Sequence, residues 1–192
     1  MSLRYALLAL LRVGPLSGYE LQKLFSESVG HVWHAPDSQI YPELRRMEAD
    51  GLLLAEEQTR GVHGRRRMYH VTEEGARAFS DWFDEPLEYS RVRDPAHLRA
   101  AYLESAEPRA AREFLDAHVR QHTELRNRWQ SEIDRIRSGA HPMVERRLAA
   151  IPEAERERAV AFKVFAYEGL MERATAEIRW AERGLRLLDD LG

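Results

Sequence analysis

The segment DSQIYPELRRMEADG at residues 37–51 reads as one short amphipathic helix. Ile40, Leu44 and Met47 fall at i, i+4 and i+7, which puts them on a single buried side. Asp37 or Ser38 is expected as its N-cap. Pro42 lies close enough to the first turn for its missing N–H to be tolerated, and Gly51 ends the helix. The opposite face presents Ser38, Tyr41 and Arg45, with Gln39 beside them at the N-terminal end. These side chains suit a DNA major groove: a Gln amide pairs with adenine, Arg with guanine or phosphate, Tyr with phosphate or a thymine methyl. The first turn adds unpaired backbone N–H groups, which attract a phosphate.

Two helices precede this one. Leu3, Leu7, Leu10 and Leu11 recur at helical spacing, and Gly14-Pro15 stops the run. Ser17-Gly18-Tyr19-Glu20 then has the form of a capping box, in which the Ser17 hydroxyl and the Glu20 carboxylate each satisfy the other's backbone N–H. Leu21, Leu24 and Phe25 carry that second helix towards Gly30. After Gly51 the period changes. Residues 52–57 are a strand candidate, residues 58–66 a turn containing Gly61 and Gly64, and residues 67–71 a second strand. Thr72 caps a fourth helix, with Glu73 and Glu74 in its first turn where the helix dipole favours anions.

Three helices followed by a hairpin, within about 75 residues, is the order of a winged helix-turn-helix. The expected wing tip runs His63-Gly64-Arg65-Arg66-Arg67. Strand alternation sends Arg65 and Arg67 one way and Arg66 the other. Placed directly after a helix-turn-helix, this tip is read as reaching phosphates or the minor groove. Residues 1–75 hold nine Lys and Arg against ten Asp and Glu, so DNA affinity has to come from that tip and the third helix.

Tyr5-Ala6-Leu7-Leu8, Gly18-Tyr19-Glu20-Leu21, Trp33, the run from Ser38 to Leu44, Gly51-Leu52, Arg67-Met68-Tyr69 and Val71-Thr72-Glu73-Glu74-Gly75 together resemble the PadR family of bacterial transcriptional regulators. The Ile40-Tyr41-Pro42 element and the wing from Gly64 to Thr72 carry most of that resemblance. The second half of the chain is similar, in pattern and length, to the long helical extension of the larger PadR subfamily. The resemblance implies a homodimer that binds a palindromic operator in double-stranded DNA, usually as a repressor, and releases it on binding a small, commonly aromatic effector. It also implies that Ser38, Gln39, Tyr41 and Arg45 are recognition-helix residues, and that Arg65, Arg66 and Arg67 are wing residues.

From residue 95 onward the texture changes to long helical patterns. Val160, Val164, Tyr167, Met171, Ala174, Ile178, Ala181, Leu185 and Leu188 alternate steps of four and three, a heptad seam over four repeats. An earlier helix at about residues 108–137 carries Leu115, His118, His122, Leu125, Trp129 and Ile136 on one side. The seam spans roughly 45 Å at 1.5 Å per residue, so the expected solution is a helical pair that dimerises with a second copy. Leu125, Trp129, Val160, Val164, Tyr167, Met171, Ile178, Leu185 and Leu188 are then the interface residues. A purely intramolecular bundle is the alternative.

The expected fold is mainly α with a small β-hairpin wing. Residues 1–84 form a winged helix-turn-helix domain, 85–95 a connector with Pro86 and Pro95, and 96–192 a coiled-coil-like dimerisation domain. Trp33, in the loop before the third helix, reads as a wedge against that helix. Together with Trp82 and Trp129 it is also a candidate effector contact, and Trp180 is a further one. His118 and His122 stand four apart, a spacing that holds metals. No HExxH accompanies them, so no metal ligand is assigned and a polar layer in the helical seam is expected.

The 192 residues are 44% hydrophobic and 32% charged, with net charge −3 and no Cys. That supports a packed core and excludes disulfides, thiolate metal sites and a thiol nucleophile. No stretch approaches the apolar length that spans a bilayer, and Met1 to Arg12 lacks the form of a signal peptide. A soluble cytoplasmic protein with no membrane partner is expected. No G-x-S-x-G, P-loop or enclosed acid/base pair is present, so neither catalytic residues nor a cofactor are expected. Two other readings stay open beside a PadR-type regulator. One is a metal or small-molecule sensor acting through His118 and His122; the other is a winged-helix protein-interaction module without specific DNA binding.

Overall fold

The structure is a computed structural model that describes residues 2–26, 36–60, 64–89 and 93–191. The chain forms two compact units, Met1–Glu88 and Tyr89–Gly192.

In the first unit, α1 (Ser2–Leu11), α2 (Gly18–Leu24) and α3 (Asp37–Ala49) close around Leu7, Leu8, Leu21, Ile40, Leu44 and Met47, all fully buried. The Ser17 capping box starts α2: Glu20 N–H donates to Ser17 Oγ (3.3 Å) and Ser17 N–H donates to Glu20 Oε2 (2.9 Å). The expected N-cap of α3 is corrected. Pro36 takes that position, in extended conformation and without a side-chain bond, and Asp37 is the first helical residue. The Pro36 carbonyl accepts from Gln39 N–H at 2.9 Å and so closes the first turn. Pro42 lies inside the helix, and the Ser38 carbonyl it cannot serve belongs to an exposed residue of the first turn. Gly51, at φ 75°, ends α3 in a Schellman motif, with Leu52 N–H on Met47 O and Gly51 N–H on Glu48 O.

The sheet has three antiparallel strands in the order β1 (Leu16–Ser17), β3 (Gly64–Val71), β2 (Leu53–Arg60). Register runs from Leu53↔Val71 to Arg60↔Gly64, so the hairpin is longer than expected and the turn shorter. Gln58, Thr59 and Arg60 continue the ladder opposite Arg66, Arg65 and Gly64; backbone pairing there needs no apolar alternation, the one signal the sequence offers for a strand. The extra strand pairs Leu16 with Tyr69 and Ser17 with Met68. Thr72 caps α4 (Glu73–Asp81) by accepting from Gly75 N–H, and its hydroxyl donates to Gly51 O at 2.7 Å. The start of α4 is thereby fixed to the turn that ends α3.

The second unit holds α5 (Pro95–Ala100), a 3-10 turn (Leu103–Ser105), α6 (Pro108–Arg137), α7 (Pro142–Ala149) and α8 (Glu153–Leu191). The short α7 was not anticipated. Pro142 breaks the long pattern and at the same time supplies a preset N1 residue for a new helix. Helices α6 and α8 are antiparallel neighbours, as the Arg137–Glu168 and His118–Glu177 pairs show. Their core joins Trp129, Ile133, Ile136, Val144, Val164 and Tyr167, with Leu125, Val160 and Met171 packed against it.

This changes the reading of the seam. Val164, Tyr167, Ala174, Ile178 and Ala181 are buried, and Val160, Met171, Leu185 and Leu188 half-buried, within one chain. A heptad stripe demands a helical neighbour but does not say which chain supplies it. The break at residues 138–142 lets the chain fold back, and a 30-residue α6, about 45 Å long, covers most of the stripe itself. Leu125, Trp129, Val160, Val164, Tyr167 and Met171, expected at a dimer interface, therefore lie in or against the core of a single protomer, while Ile178 is buried and Leu185 and Leu188 are half-buried in the same chain. Phe162 and Phe165 on α8 are left exposed.

Candidate nucleic-acid interface

Ile40, Leu44 and Met47 anchor α3 from below, so Ser38, Gln39, Tyr41 and Arg45 are all turned outward and exposed. Four of the predicted residues thus share one presented face. Tyr41 leans back over the start of α2, which is possible only because residue 18 is Gly; a Cβ there would lie 2.5 Å from Tyr41 Cε1. Around this contact lies a hollow of about 330 Å³, lined by Ser17, Gly18, Tyr19, Tyr41, Arg45, Arg67 and Tyr69. The start of α2, the outward face of α3 and the base of the hairpin meet there.

The three wing arginines differ. Arg65 lies at a ladder position opposite Thr59. Arg67 bonds both Glu48 carboxylate oxygens at 2.6 Å, and these bonds raise its pKa. Arg66 turns to the other side of the strand, where its Nη2 donates to Ser17 Oγ at 3.0 Å and pairs with Glu20. Arg66 is therefore held inside the α2 capping box, with its guanidinium turned to the protein and not to solvent. The alternation that separates it from Arg65 and Arg67 aims it at the Glu20 carboxylate. Burial pushes the Glu20 pKa up, but the Arg66 guanidinium and the Ser17 groups outweigh it and hold the carboxyl at about 2.

The near-neutral charge of this unit is resolved locally. Arg4 binds Glu43 (3.0 Å) and Asp50 (2.7 Å), while Arg67 covers Glu48, so these three carboxylates at and beyond α3 are matched by cations of the protein. Arg45 is exposed and has no ion pair among the described residues. The sequence reading missed Tyr19, which is 71% exposed at the rim of the hollow, and Tyr69 at its floor. An aromatic residue at the exposed second position of a capped helix was the available signal for Tyr19.

Trp33 lies outside the described residues, as do His31, His34 and His63. Trp82 belongs to an aromatic cluster in the first unit, stacked on Tyr5 at 4.9 Å and beside Phe79 and Phe83. Trp129 is buried against Tyr167 at 5.9 Å and serves the core of the second unit. That unit contains a separate cavity of about 1150 Å³, lined on its apolar side by Leu103, Leu115, Trp180 and Leu187, with Arg112 and Arg183 at its edge.

A three-helix head with a polar outward helix and an antiparallel wing defines a winged-helix protein of the DNA-binding class. Residues 7–81 match the transcriptional regulator PadR-like family. The negative transcriptional regulator PadR of Bacillus subtilis is 29% identical over 143 residues, covering 73% of this chain and 78% of that protein. Bacillus subtilis PadR crystallised with p-coumaric acid superposes with a TM-score of 0.72 at 26% identity, over 97% of this chain and 95% of that one. The same protein in complex with operator DNA gives a TM-score of 0.76 at 24% identity, over 98% and 99%. The winged-helix segment at residues 7–81 is thus PadR-like, and over most of its length the chain is similar to a transcriptional regulator of that family. Among its described residues no helix is long and apolar enough to cross a membrane.

Proposed function

We propose that the protein is a cytoplasmic, homodimeric repressor that binds a palindromic operator and releases it when a small aromatic molecule binds. The observation that carries this reading is the hollow where Tyr41, Arg45 and Arg67 converge beside the exposed face of α3. In it, α3 enters the major groove. Gln39 and Arg45 read base edges, Tyr41 meets a phosphate or a thymine methyl, and Arg65 and Arg67 follow the backbone beside it. Two heads joined as a dimer place their recognition helices about one turn apart, ~34 Å along the duplex. Because α6 covers the heptad seam, the outer face of α8 with Phe162 and Phe165 is the surface left for a second copy. The Bacillus subtilis relative is a negative regulator seen with operator DNA and with p-coumaric acid. The cavity beside Trp180 suits the same kind of effector here, with an aromatic ring against leucines and an acidic group at Arg183.

The test is fluorescence anisotropy of the protein on its own upstream DNA and on scrambled DNA, at low and moderate salt. Tight, sequence-selective binding that weakens steeply with salt is expected, because Arg–phosphate contacts release counterions. Weak binding without preference overturns the reading and points to protein partners instead.

A further inference from the structure

One cluster of chemistry-bearing side chains is left unused by DNA recognition. His118 and His122 stand one turn apart on α6, their rings 4.3 Å between centroids, and face Glu177 of α8. His118 Nε2 is 3.1 Å from Glu177 Oε2, and one donor atom from each of the three residues lies within 4.8 Å of the others. We propose that His118, His122 and Glu177 bind one divalent transition-metal ion of the zinc class, which ties α6 to α8.

The geometry carries this in three ways. Metal–nitrogen and metal–oxygen bonds of about 2.0–2.2 Å place neighbouring donors of a tetrahedral site roughly 3.3–3.5 Å apart. The His118–Glu177 spacing is close to that, and a side-chain rotation brings His122 the remaining distance. Second, the site is half-buried and walled by rings. Trp180 stands edge-on to His118 at 5.2 Å, His97 stacks on Trp180 at 4.2 Å, and the His118 side chain is only 11% exposed. The donors are therefore oriented by packing while Glu177, at 30%, leaves a path for an ion. Third, His122 Nδ1 is buried with no hydrogen-bond partner among the described residues. A plain His118–Glu177 hydrogen bond leaves that group unexplained, and buried polar groups are rarely left so.

The donor set selects the ion. Two imidazoles and one carboxylate, in a chain without Cys, suit Zn²⁺, Co²⁺ or Ni²⁺ and not the oxygen-rich shells of Ca²⁺ or Mg²⁺. Three protein ligands leave a fourth position for water. Sequence pattern showed the two histidines but not the third donor, which lies 59 residues away on another helix.

The experiment uses the full chain without an affinity tag, stripped with a chelator and titrated with Co²⁺ alone and with Zn²⁺ alone. Expected are one equivalent per chain, ligand-field bands of a low-coordinate Co²⁺ site, and a Zn²⁺-induced rise in Tm. His122→Ala and Glu177→Gln weaken binding by at least the roughly 10–100-fold that loss of an outer-shell partner costs, and both abolish the Tm rise. His122→Gln preserves more of the packing and serves should the Ala variant fail to fold. His97→Ala, outside the ligand set, keeps the stoichiometry and the bands. Absence of binding, or binding that survives in the His122 and Glu177 variants, overturns the proposal.

Discussion

The ring of Tyr41 occupies the space that a side chain at Gly18 would need, with Cε1 2.5 Å and Cζ 3.2 Å from where its Cβ would stand. A recognition-helix side chain is thus oriented by a glycine on a different helix. In Gly18→Ala, Tyr41 has to rotate, and since its ring is 41% exposed it does so towards solvent and away from the hollow. Fold stability should change by less than about 1 kcal/mol, because Ala also reduces the backbone entropy lost on folding. Operator affinity should fall about tenfold, the equivalent of ~1.4 kcal/mol. Thermal melts beside anisotropy titrations separate the two effects; unchanged affinity would show that Tyr41's position is irrelevant to binding.

Glu20 makes acid stability a readout of the Arg66 contact. Its carboxyl is held at about 2 in the folded protein, below the ordinary 4.5. A depressed carboxylate stabilises the fold fully above the unfolded pKa and loses that contribution as pH falls through the folded one. The loss should therefore develop between about pH 4.5 and pH 2. Glu20→Gln keeps the capping-box geometry without the charge. Urea midpoints at about pH 7 and about pH 3 should converge for wild type and variant as the pH drops. A gap that stays constant would mean the ion pair contributes nothing to stability.

Local signals in the sequence were strong where one residue type answers one backbone need. Ser17 and Glu20 announce the start of α2, Gly51 the end of α3, and Pro108 with Gly139 bracket α6. The apolar spacing of Ile40, Leu44 and Met47 also fixes which side of α3 faces out, and so Ser38, Gln39, Tyr41 and Arg45. What stayed illegible depends on contacts distant in sequence. Leu16–Ser17 is a strand only because β3 lies beside it, and Arg66 turns inward only because Glu20 is there. The seam of α8 is assigned to a second copy by its length, because a heptad period does not say how much of the stripe α6 of the same chain covers.

Gly75 predicts the cost of a close backbone approach. A Cβ at this position would lie 2.2 Å from the Leu52 carbonyl oxygen and 3.1 Å from its carbon. Neither atom belongs to a side chain that rotates away, so Gly75→Ala has to push α4 off the turn and strain the Thr72–Gly51 hydrogen bond. A loss of about 1–3 kcal/mol is expected, the usual range for overpacking. The denaturant midpoint of the full chain measures it, and a variant as stable as wild type would show that α4 docks more loosely than the structure has it.

The arginines of the head should separate by partner. Arg45 has no ion pair among the described residues, Arg67 shares Glu48, and Arg66 is engaged with Ser17 and Glu20. Arg45→Ala should cost about 1–3 kcal/mol of operator binding and relax sequence preference, as removal of a base-edge contact does. On the proposed reading, Arg67→Ala removes a phosphate contact. It should weaken binding to all sequences alike and reduce the salt slope by about 1. Arg66→Ala removes a cation that faces the protein. Its effect should appear in Tm, because Glu20 is left half-buried without its partner, while the salt slope stays near the wild-type value. Three melts and three salt titrations decide the matter. A full drop in slope for Arg66→Ala, without loss of stability, would mean that the side chain leaves Glu20 for the DNA backbone on binding, making the capping box of α2 a reserve of positive charge.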